Sequence, residues 1–181
     1  MIRIGIDVDN CLRDFSKAMM DVFLRECPEK VKEPYRIGWD FINVKMPWEE
    51  KRKFWVEIFP EEILENSPPL ENAVEDFKIL KNWANENNCK LVCVTDQEKG
   101  VEQYTYKWLA KNNFIFKELH ITGDKHTIGL DYIYDDSPIV YSQWVENGNN
   151  PDNFFLKKMD YNEYINTKYK VERLIDIIKI L

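Results

Sequence analysis

Three features are missing from this sequence of 181 residues, and each absence excludes a class of protein. No apolar run approaches the ~20 residues that a membrane helix needs. The opening residues, Met1 to Ile6, run into a charged segment, a pattern that predicts no secretory signal. The chain has 25 lysines and arginines against 32 aspartates and glutamates, a net charge of −7, and no basic patch offsets it. Because such a surface repels phosphate backbones, a duplex nucleic acid partner is not expected.

The four cysteines do not form the pattern of a disulfide framework. Cys89 and Cys93 fall in one predicted strand, where four positions separate them by ~13 Å, too far for a bridge or a shared metal ion. We therefore expect reduced thiols and a cytoplasmic location. Apolar residues make up 44% of the chain, which favours a folded protein with a sizeable core and leaves a homodimer open.

Apolar runs alternate between two periodicities along the chain. Short apolar runs, several rich in β-branched residues, predict strands at 2–6, 90–94, 120–122, 132–134 and 154–156. Helical spacing predicts helices at 15–25, 71–87, 100–112 and 171–181. Strands that alternate with helices are typical of an α/β protein, so we predict a Rossmann-like parallel sheet covered on both faces.

Residues 28–69 differ from the rest, because they contain six of the eight prolines and many aromatic residues. We interpret this stretch as a small, mostly helical insertion. Most of its aromatic side chains are expected to pack on one another, since so small a unit has little else to form a core. Trp39, Phe41 and the nearby Phe15 are the candidates to face a pocket instead, where a flat ring can stack on a base.

Polar residues stand where three predicted strands end. In an open parallel sheet, ligands bind at the carboxyl ends of the strands. A single aspartate there is equally typical of a turn or a helix cap, but two pairs of acids predict a cation, and oxygen ligands favour Mg²⁺. The residues at these ends are Asp7 and Asp9, Thr95 and Asp96, and Asp135 and Asp136.

Together with these acids, Thr95 and Lys125 are interpreted as candidate phosphate-binding residues. Alone, the lysine is typical of a solvated surface and the threonine of a helix cap. A phosphate group needs a positive partner and hydroxyl or amide donors, and lysine supplies a compact charge. The combination predicts an anionic, phosphate-bearing substrate.

The order and spacing of these residues resemble a known superfamily. The stretch from Ile4 to Phe15, with Asp7 and Asp9, looks like the first motif of haloacid dehalogenase (HAD) hydrolases. Thr95 resembles the second motif, Lys125 the third, and the pair Asp135-Asp136 the fourth. Within the superfamily the chain is most similar to the 5'(3')-deoxyribonucleotidases, whose further signatures resemble segments 68–73, 160–162 and 171–174.

The resemblance implies a fold and a mechanism. The HAD-like core would comprise residues 1–15 and 70–181, with a helical cap at 16–69. Asp7 would attack phosphorus and Asp9 would act as general acid and base, while Thr95 and Lys125 would hold the phosphate. Mg²⁺ would be held by Asp7, the main-chain carbonyl of Asp9 and Asp135, with Asp136 acting through water or a neighbour. The implied partner is a small phosphomonoester, most of all a (deoxy)nucleoside monophosphate.

Two alternatives remain open at this point. The first is a HAD phosphatase for another small phosphomonoester or for a nucleic-acid 3'-phosphate. The second is a binding protein that keeps the fold without turnover, against which the presence of both Asp7 and Asp9 argues. Asp96 and Gly123 stand where relatives commonly have a small and a basic residue, so base and sugar preference stays open. Asp96 is kept as a candidate substrate contact.

Overall fold

The strands form one six-stranded sheet in which every neighbouring pair is parallel. The computed structural model describes residues 1–34 and 38–181, so Tyr35, Arg36 and Ile37 of the predicted cap lie outside the described part. The strand order is β3-β2-β1-β4-β5-β6. The strands are β1 (Ile2–Ile6), β2 (Cys89–Thr95), β3 (Leu119–Ile121), β4 (Tyr132–Asp135), β5 (Phe154–Lys157) and β6 (Tyr169–Val171).

Five α-helices connect or flank these strands within the described residues. They are α1 (Phe15–Glu26), α2 (Trp48–Lys53), α3 (Ala73–Glu86), α4 (Glu102–Lys111) and α5 (Pro138–Glu146). Short helical turns, Phe54–Ile58 and Glu61–Glu65 among them, complete the predicted insertion, which is mostly helical. The predicted α/β class and the parallel sheet with a helical unit after the first strand are thus confirmed.

The end of the chain was predicted wrongly as one helix over 171–181. Val171 instead ends β6, where it pairs with Lys157 of β5. A 3₁₀ helix, Leu174–Lys179, follows and buries Leu174 and Ile177. Because these two apolar residues stand three positions apart, a 3₁₀ turn places both on one side as well as an α-helix would.

Helix α5 is absent from the prediction, although the sequence carries a start signal for it. The side chain of Ser137 caps the helix by accepting a hydrogen bond from the backbone N–H of Val140 at 3.2 Å. Pro138 occupies the first helical position, where its missing N–H costs nothing. The helix is only nine residues long, and its periodicity is correspondingly weak.

Alternate residues of the sheet pack into separate hydrophobic clusters on its two faces. In β2, Leu91 and Cys93 face the cluster that includes α3, whereas Val92 and Val94 face the cluster that includes α5. A third cluster holds α1 together with residues 41–64 and Val101. The predicted limits of the cap, 16–69, stay a prediction.

No helix among the described residues has both the length and the apolar character to cross a membrane.

Candidate active site

The sheet order places the three predicted polar strand ends side by side. β1 lies between β2 and β4, and the strand order reverses at β1. Asp7 directly follows β1, Thr95 is the last residue of β2, and Asp135 is the last of β4. The backbone N–H of Asp7 donates to the carbonyl oxygen of Tyr134 at 3.0 Å, which keeps the two ends in register. This edge is where ligands bind in open sheets of this kind.

A buried lysine joins two of these strand ends. The Nζ atom of Lys125 lies 2.7 Å from Oδ1 of Asp7 and 2.7 Å from Oδ2 of Asp135. The lysine side chain is only 3% exposed. The second oxygen of Asp135, Oδ1, accepts a hydrogen bond from the backbone N–H of Ser137 at 2.8 Å. Groups that stand as many as 118 positions apart in sequence are therefore in direct contact.

Asp136 is held by a separate set of polar side chains. Its Oδ2 accepts hydrogen bonds from the hydroxyl of Tyr161 and, at 3.3 Å, from the amide of Asn10. Asn10 reaches it because its backbone φ of 56° turns the chain sharply after β1, as expected for an asparagine. The carbonyl oxygen of Asp136 accepts from Nδ2 of Asn162 at 2.8 Å. The segment after β5 thus fixes an acid that follows β4.

Burial makes this cluster electrostatically unfavourable without additional positive charge. Burial raises the pKa of Asp7 well above its ordinary value, and the carboxylates of Asp135 and Asp136 add to this while Lys125 opposes it. Burial and Asp135 raise the pKa of Asp136 to about 7, although Tyr161 lowers it. Burial lowers the pKa of Lys125, but the carboxylates of Asp135 and Asp7 outweigh that effect and leave the pKa raised.

The donor set of the cluster fits a divalent cation. Asp7, Cys11 and Asp136 offer ligand atoms that all lie within 4.8 Å of one another. Burial raises the pKa of the Cys11 thiol well above its ordinary value, so the sulfur stays protonated and is a poor ligand. Three buried carboxylates face a single ammonium group, an excess of negative charge that a hard, oxygen-binding ion would offset.

Thr95 presents a hydroxyl without a partner. Its side chain is fully buried, and among the described residues nothing hydrogen-bonds its Oγ1 atom. A buried unsatisfied hydroxyl is costly and calls for an explanation. Its position at the end of β2, beside the strand that leads to Asp7, fits a ligand oxygen as the missing partner.

Asp9 is bound to groups outside this cluster. The Nε atom of Arg13 lies 2.7 Å from Oδ1 of Asp9, and Nε2 of Gln97 lies 2.7 Å from its Oδ2. Asp9 nevertheless lines the same cavity as Asp7 and Lys125. The predicted pair of aspartates therefore faces one space, with each carboxylate held by different neighbours.

That cavity has a volume of about 350 Å³ and reaches from the acids to the aromatic side chains of the insertion. Phe15, Trp39 and Phe41 all line it, as does the exposed Asp96. Phe41 is mostly packed within the insertion, with its ring 6.1 Å from that of Phe15. Trp39 reaches across the cavity, and its ring lies 5.3 Å from the ring of Tyr161.

A second cavity, of about 440 Å³, lies beside Cys11 and Arg173. None of the ten predicted site residues lines this space, whereas nine of them line the cavity at the strand ends. The ten are Asp7, Asp9, Phe15, Trp39, Phe41, Thr95, Asp96, Lys125, Asp135 and Asp136.

Sequence reasoning assigned no role to several residues whose side chains contact the acids. They include Arg13 and Gln97 on Asp9, and Asn10 and Tyr161 on Asp136. For Arg13 the sequence did offer a signal, because this arginine lies in the first motif, directly after Cys11 and Leu12 and four positions after Asp9. Nothing in the local sequence points from Tyr161 to an acid 25 positions earlier.

The sequence model of one protein family, "5' nucleotidase, deoxy (Pyrimidine), cytosolic type C protein", matches residues 1–181. The chain belongs to this family. It is therefore an enzyme, a phosphatase of the nucleotidase type, as the four motifs predicted. A search of curated proteins found no match to the sequence.

Solved structures share the fold of this nucleotidase at low sequence identity. A HAD-superfamily hydrolase of subfamily IA from Geobacter sulfurreducens is 15% identical, and the match covers 100% of both chains with a TM-score of 0.63. The HAD hydrolase YfnB from Bacillus subtilis, bound to magnesium, is 14% identical over 99% of this chain and 98% of its own, with a TM-score of 0.62. The L-2-haloacid dehalogenase from Xanthobacter autotrophicus, with chloropropionic acid covalently bound, is 9% identical over 99% and 98%, with a TM-score of 0.60. The predicted HAD fold is confirmed.

Proposed function

We propose that this protein hydrolyses (deoxy)nucleoside monophosphates with the help of Mg²⁺ and through an aspartyl-phosphate. One observation carries the proposal: Lys125 contacts Asp7 in a cavity that also contains Asp9 and a wall of aromatic rings. A carboxylate beside a lysine suits phosphoryl transfer, and flat rings suit a base. Membership of the nucleotidase family supports the same substrate class.

The side chains divide the reaction between them. A carboxylate oxygen of Asp7 forms a bond to phosphorus while the bond from phosphorus to the nucleoside oxygen breaks. Lys125 and the free hydroxyl of Thr95 hold the phosphoryl oxygens as their charge redistributes. Asp9 gives a proton to the departing oxygen and then takes one from the water that hydrolyses the aspartyl-phosphate.

The metal ion is proposed to bind the acids at the ends of β1 and β4. Asp7 and Asp136 are within reach of a common ion, and Asp135 and the main-chain carbonyl of Asp9 complete the proposed ligand set. The ion supplies positive charge that offsets the buried carboxylates and the phosphate. Magnesium in the structural neighbour YfnB supports this choice of ion.

Removal of the metal is expected to abolish turnover. We expect phosphate release to fall to background in excess EDTA and to return when MgCl₂ is added in excess over the chelator. Addition of Mg²⁺ without substrate should also raise the melting temperature, because the ion binds only the folded arrangement of acids. Full activity after exhaustive chelation would contradict the metal proposal.

The substrate is tested with a panel of phosphomonoesters assayed for released phosphate. We expect the highest kcat/KM for nucleoside 5'- or 3'-monophosphates, lower values for sugar phosphates, and none for duplex DNA that carries a 3'-phosphate. A negligible response to every nucleotide would reject the nucleotidase proposal. The panel would also measure the preference among bases and sugars. Asp96 is placed to influence this preference together with Gly123, because a Cβ atom at Gly123 would lie 3.2 Å from Oδ2 of Asp96.

Thr95 provides a test that separates binding from folding. Because its hydroxyl has no hydrogen-bond partner among residues 1–34 and 38–181, Thr95→Val is expected to leave the melting temperature unchanged or slightly raised. We expect KM for the phosphomonoester to rise ~10-fold, since one hydrogen bond to a charged group is lost. An unchanged KM would remove Thr95 from the phosphate site.

The four buried, free thiols support the proposed cytoplasmic location.

A further inference from the structure

We propose that Arg13 and Gln97 are positioning residues that aim the carboxyl group of Asp9 at the leaving oxygen. The inference rests on the proposed function and adds two residues that orient its general acid. Each oxygen of Asp9 has its own donor, with Arg13 Nε at 2.7 Å from Oδ1 and Gln97 Nε2 at 2.7 Å from Oδ2. A carboxyl group held at both oxygens cannot rotate freely.

The surroundings of Arg13 favour its ion pair with Asp9. Its side chain is fully buried, and among the described residues Asp9 is the carboxylate with which it forms an ion pair. Its other contacts are uncharged: the carbonyl oxygen of Leu64, the hydroxyl of Thr105 at 3.2 Å, and the ring of Trp108 at 5.4 Å. Burying a guanidinium group is costly unless it is paired and fully hydrogen-bonded. The pair with Asp9 is therefore fixed in geometry, unlike an ion pair on the surface.

The two contacts fix the direction of the proton transfer proposed for Asp9. Arg13 holds Oδ1 and Gln97 holds Oδ2, so the carboxyl group keeps one orientation toward the cavity that it lines. As the bond from Asp7 to phosphorus forms and the bond to the nucleoside oxygen breaks, the carboxyl group of Asp9 gives its proton to the nucleoside oxygen. In the second step it takes a proton from the attacking water.

Arg13 also connects Asp9 to the predicted cap. Leu64 lies in the short helical segment Glu61–Glu65, whereas Thr105 and Trp108 belong to α4 of the sheet domain. The backbone of Arg13 forms a bridge with Pro69, at the end of the insertion. The orientation of Asp9 is thus set by a residue that contacts both parts of the chain.

The test compares substrates that differ in their need for a proton. A nucleoside 5'-monophosphate releases a strongly basic alkoxide, whereas p-nitrophenyl phosphate releases a stable phenolate. The parameter is kcat/KM, because it includes only the steps up to departure of the leaving group. The variants are Gln97→Leu and Arg13→Lys, with Gln103→Leu on the exposed face of α4 as the matched control.

We expect Gln97→Leu to lower kcat/KM for the nucleotide ~10-fold and Arg13→Lys to lower it ~100-fold, within the range of general acid catalysis. For p-nitrophenyl phosphate the expected loss is less than about two-fold, because its departure needs no proton. Gln103→Leu should match the wild type on both substrates.

Equal losses on the two substrates would overturn the inference, since a purely structural role lowers both rates alike. Circular dichroism identifies folded variants; if Arg13→Lys does not fold, the half-buried Gln97 decides the question alone. A wild type that releases phosphate from no substrate would instead reject the proposed function, and this inference with it. The two failures are therefore distinguishable.

Discussion

Asp7→Asn is expected to lower phosphate release at least ~10⁴-fold, because it replaces the carboxylate that is proposed to bond to phosphorus with an amide. The amide oxygen of asparagine is a poor nucleophile and cannot form an acyl phosphate that water hydrolyses. The assay measures released phosphate from the best nucleoside monophosphate of the panel, with Mg²⁺ in excess.

The same variant should fold at least as well as the wild type. Asp7 is one of three buried carboxylates that repel one another, so a neutral side chain of the same shape relieves that repulsion. We expect an unchanged or higher melting temperature. Asp21→Asn, on the exposed side of α1, is the matched control and should keep full activity. Equal phosphate release from Asp7→Asn and wild type would place the activity elsewhere.

Lys125→Met should damage both stability and activity. Removal of the ammonium group leaves Asp7 and Asp135 facing each other in a buried site, each without its 2.7 Å partner. Breaking a buried ion pair in this way costs about 3 kcal/mol or more. For a chain of this size that lowers the melting temperature by ~6–12 °C. Phosphate release should fall ~10³-fold, because the charge on the phosphoryl oxygens loses its buried partner.

A surface lysine provides the control for this prediction. Lys168 pairs with Asp152 at 2.9 Å, but both side chains are about half exposed. Lys168→Met should therefore leave the melting temperature and the activity nearly unchanged. Thermal unfolding followed by circular dichroism compares the two variants. A melting temperature for Lys125→Met that equals the wild type would show that the lysine does not hold the acids together.

The polar strand ends could be predicted because their signals are local. A β-branched run that stops at Asp7, or at Thr95, shows in a few adjacent residues that a strand ends in a polar group. Parallel strands bring such ends to one edge of the sheet without further information. The contact between Lys125 and Asp7 then follows from the fold, although 118 positions separate them.

Other parts of the site needed the structure because their partners are distant in sequence. Gln97 meets Asp9, and Tyr161 meets Asp136, only after the strands have assembled. Arg13 was visible in the first motif, but its pairing depends on the burial that Leu64 and α4 provide. The helix predicted for the end of the chain was wrong for a different reason. The three-residue spacing of Leu174 and Ile177 is compatible with both a 3₁₀ helix and an α-helix.

The central claim is a covalent bond between Asp7 and phosphorus, and trapping that bond tests it most directly. Enzyme at steady state with a nucleoside monophosphate and Mg²⁺ is quenched in acid and reduced with borohydride, which converts an aspartyl-phosphate to homoserine. Peptide mass spectrometry then locates the modified residue in the wild type and in Asp9→Asn. For Asp9→Asn the substrate is p-nitrophenyl phosphate, whose departure needs no proton, so that only the hydrolysis step is slowed and the intermediate accumulates. We predict homoserine at position 7 in both. Modification at any other residue, or none in either protein while the wild type turns over, would contradict the account.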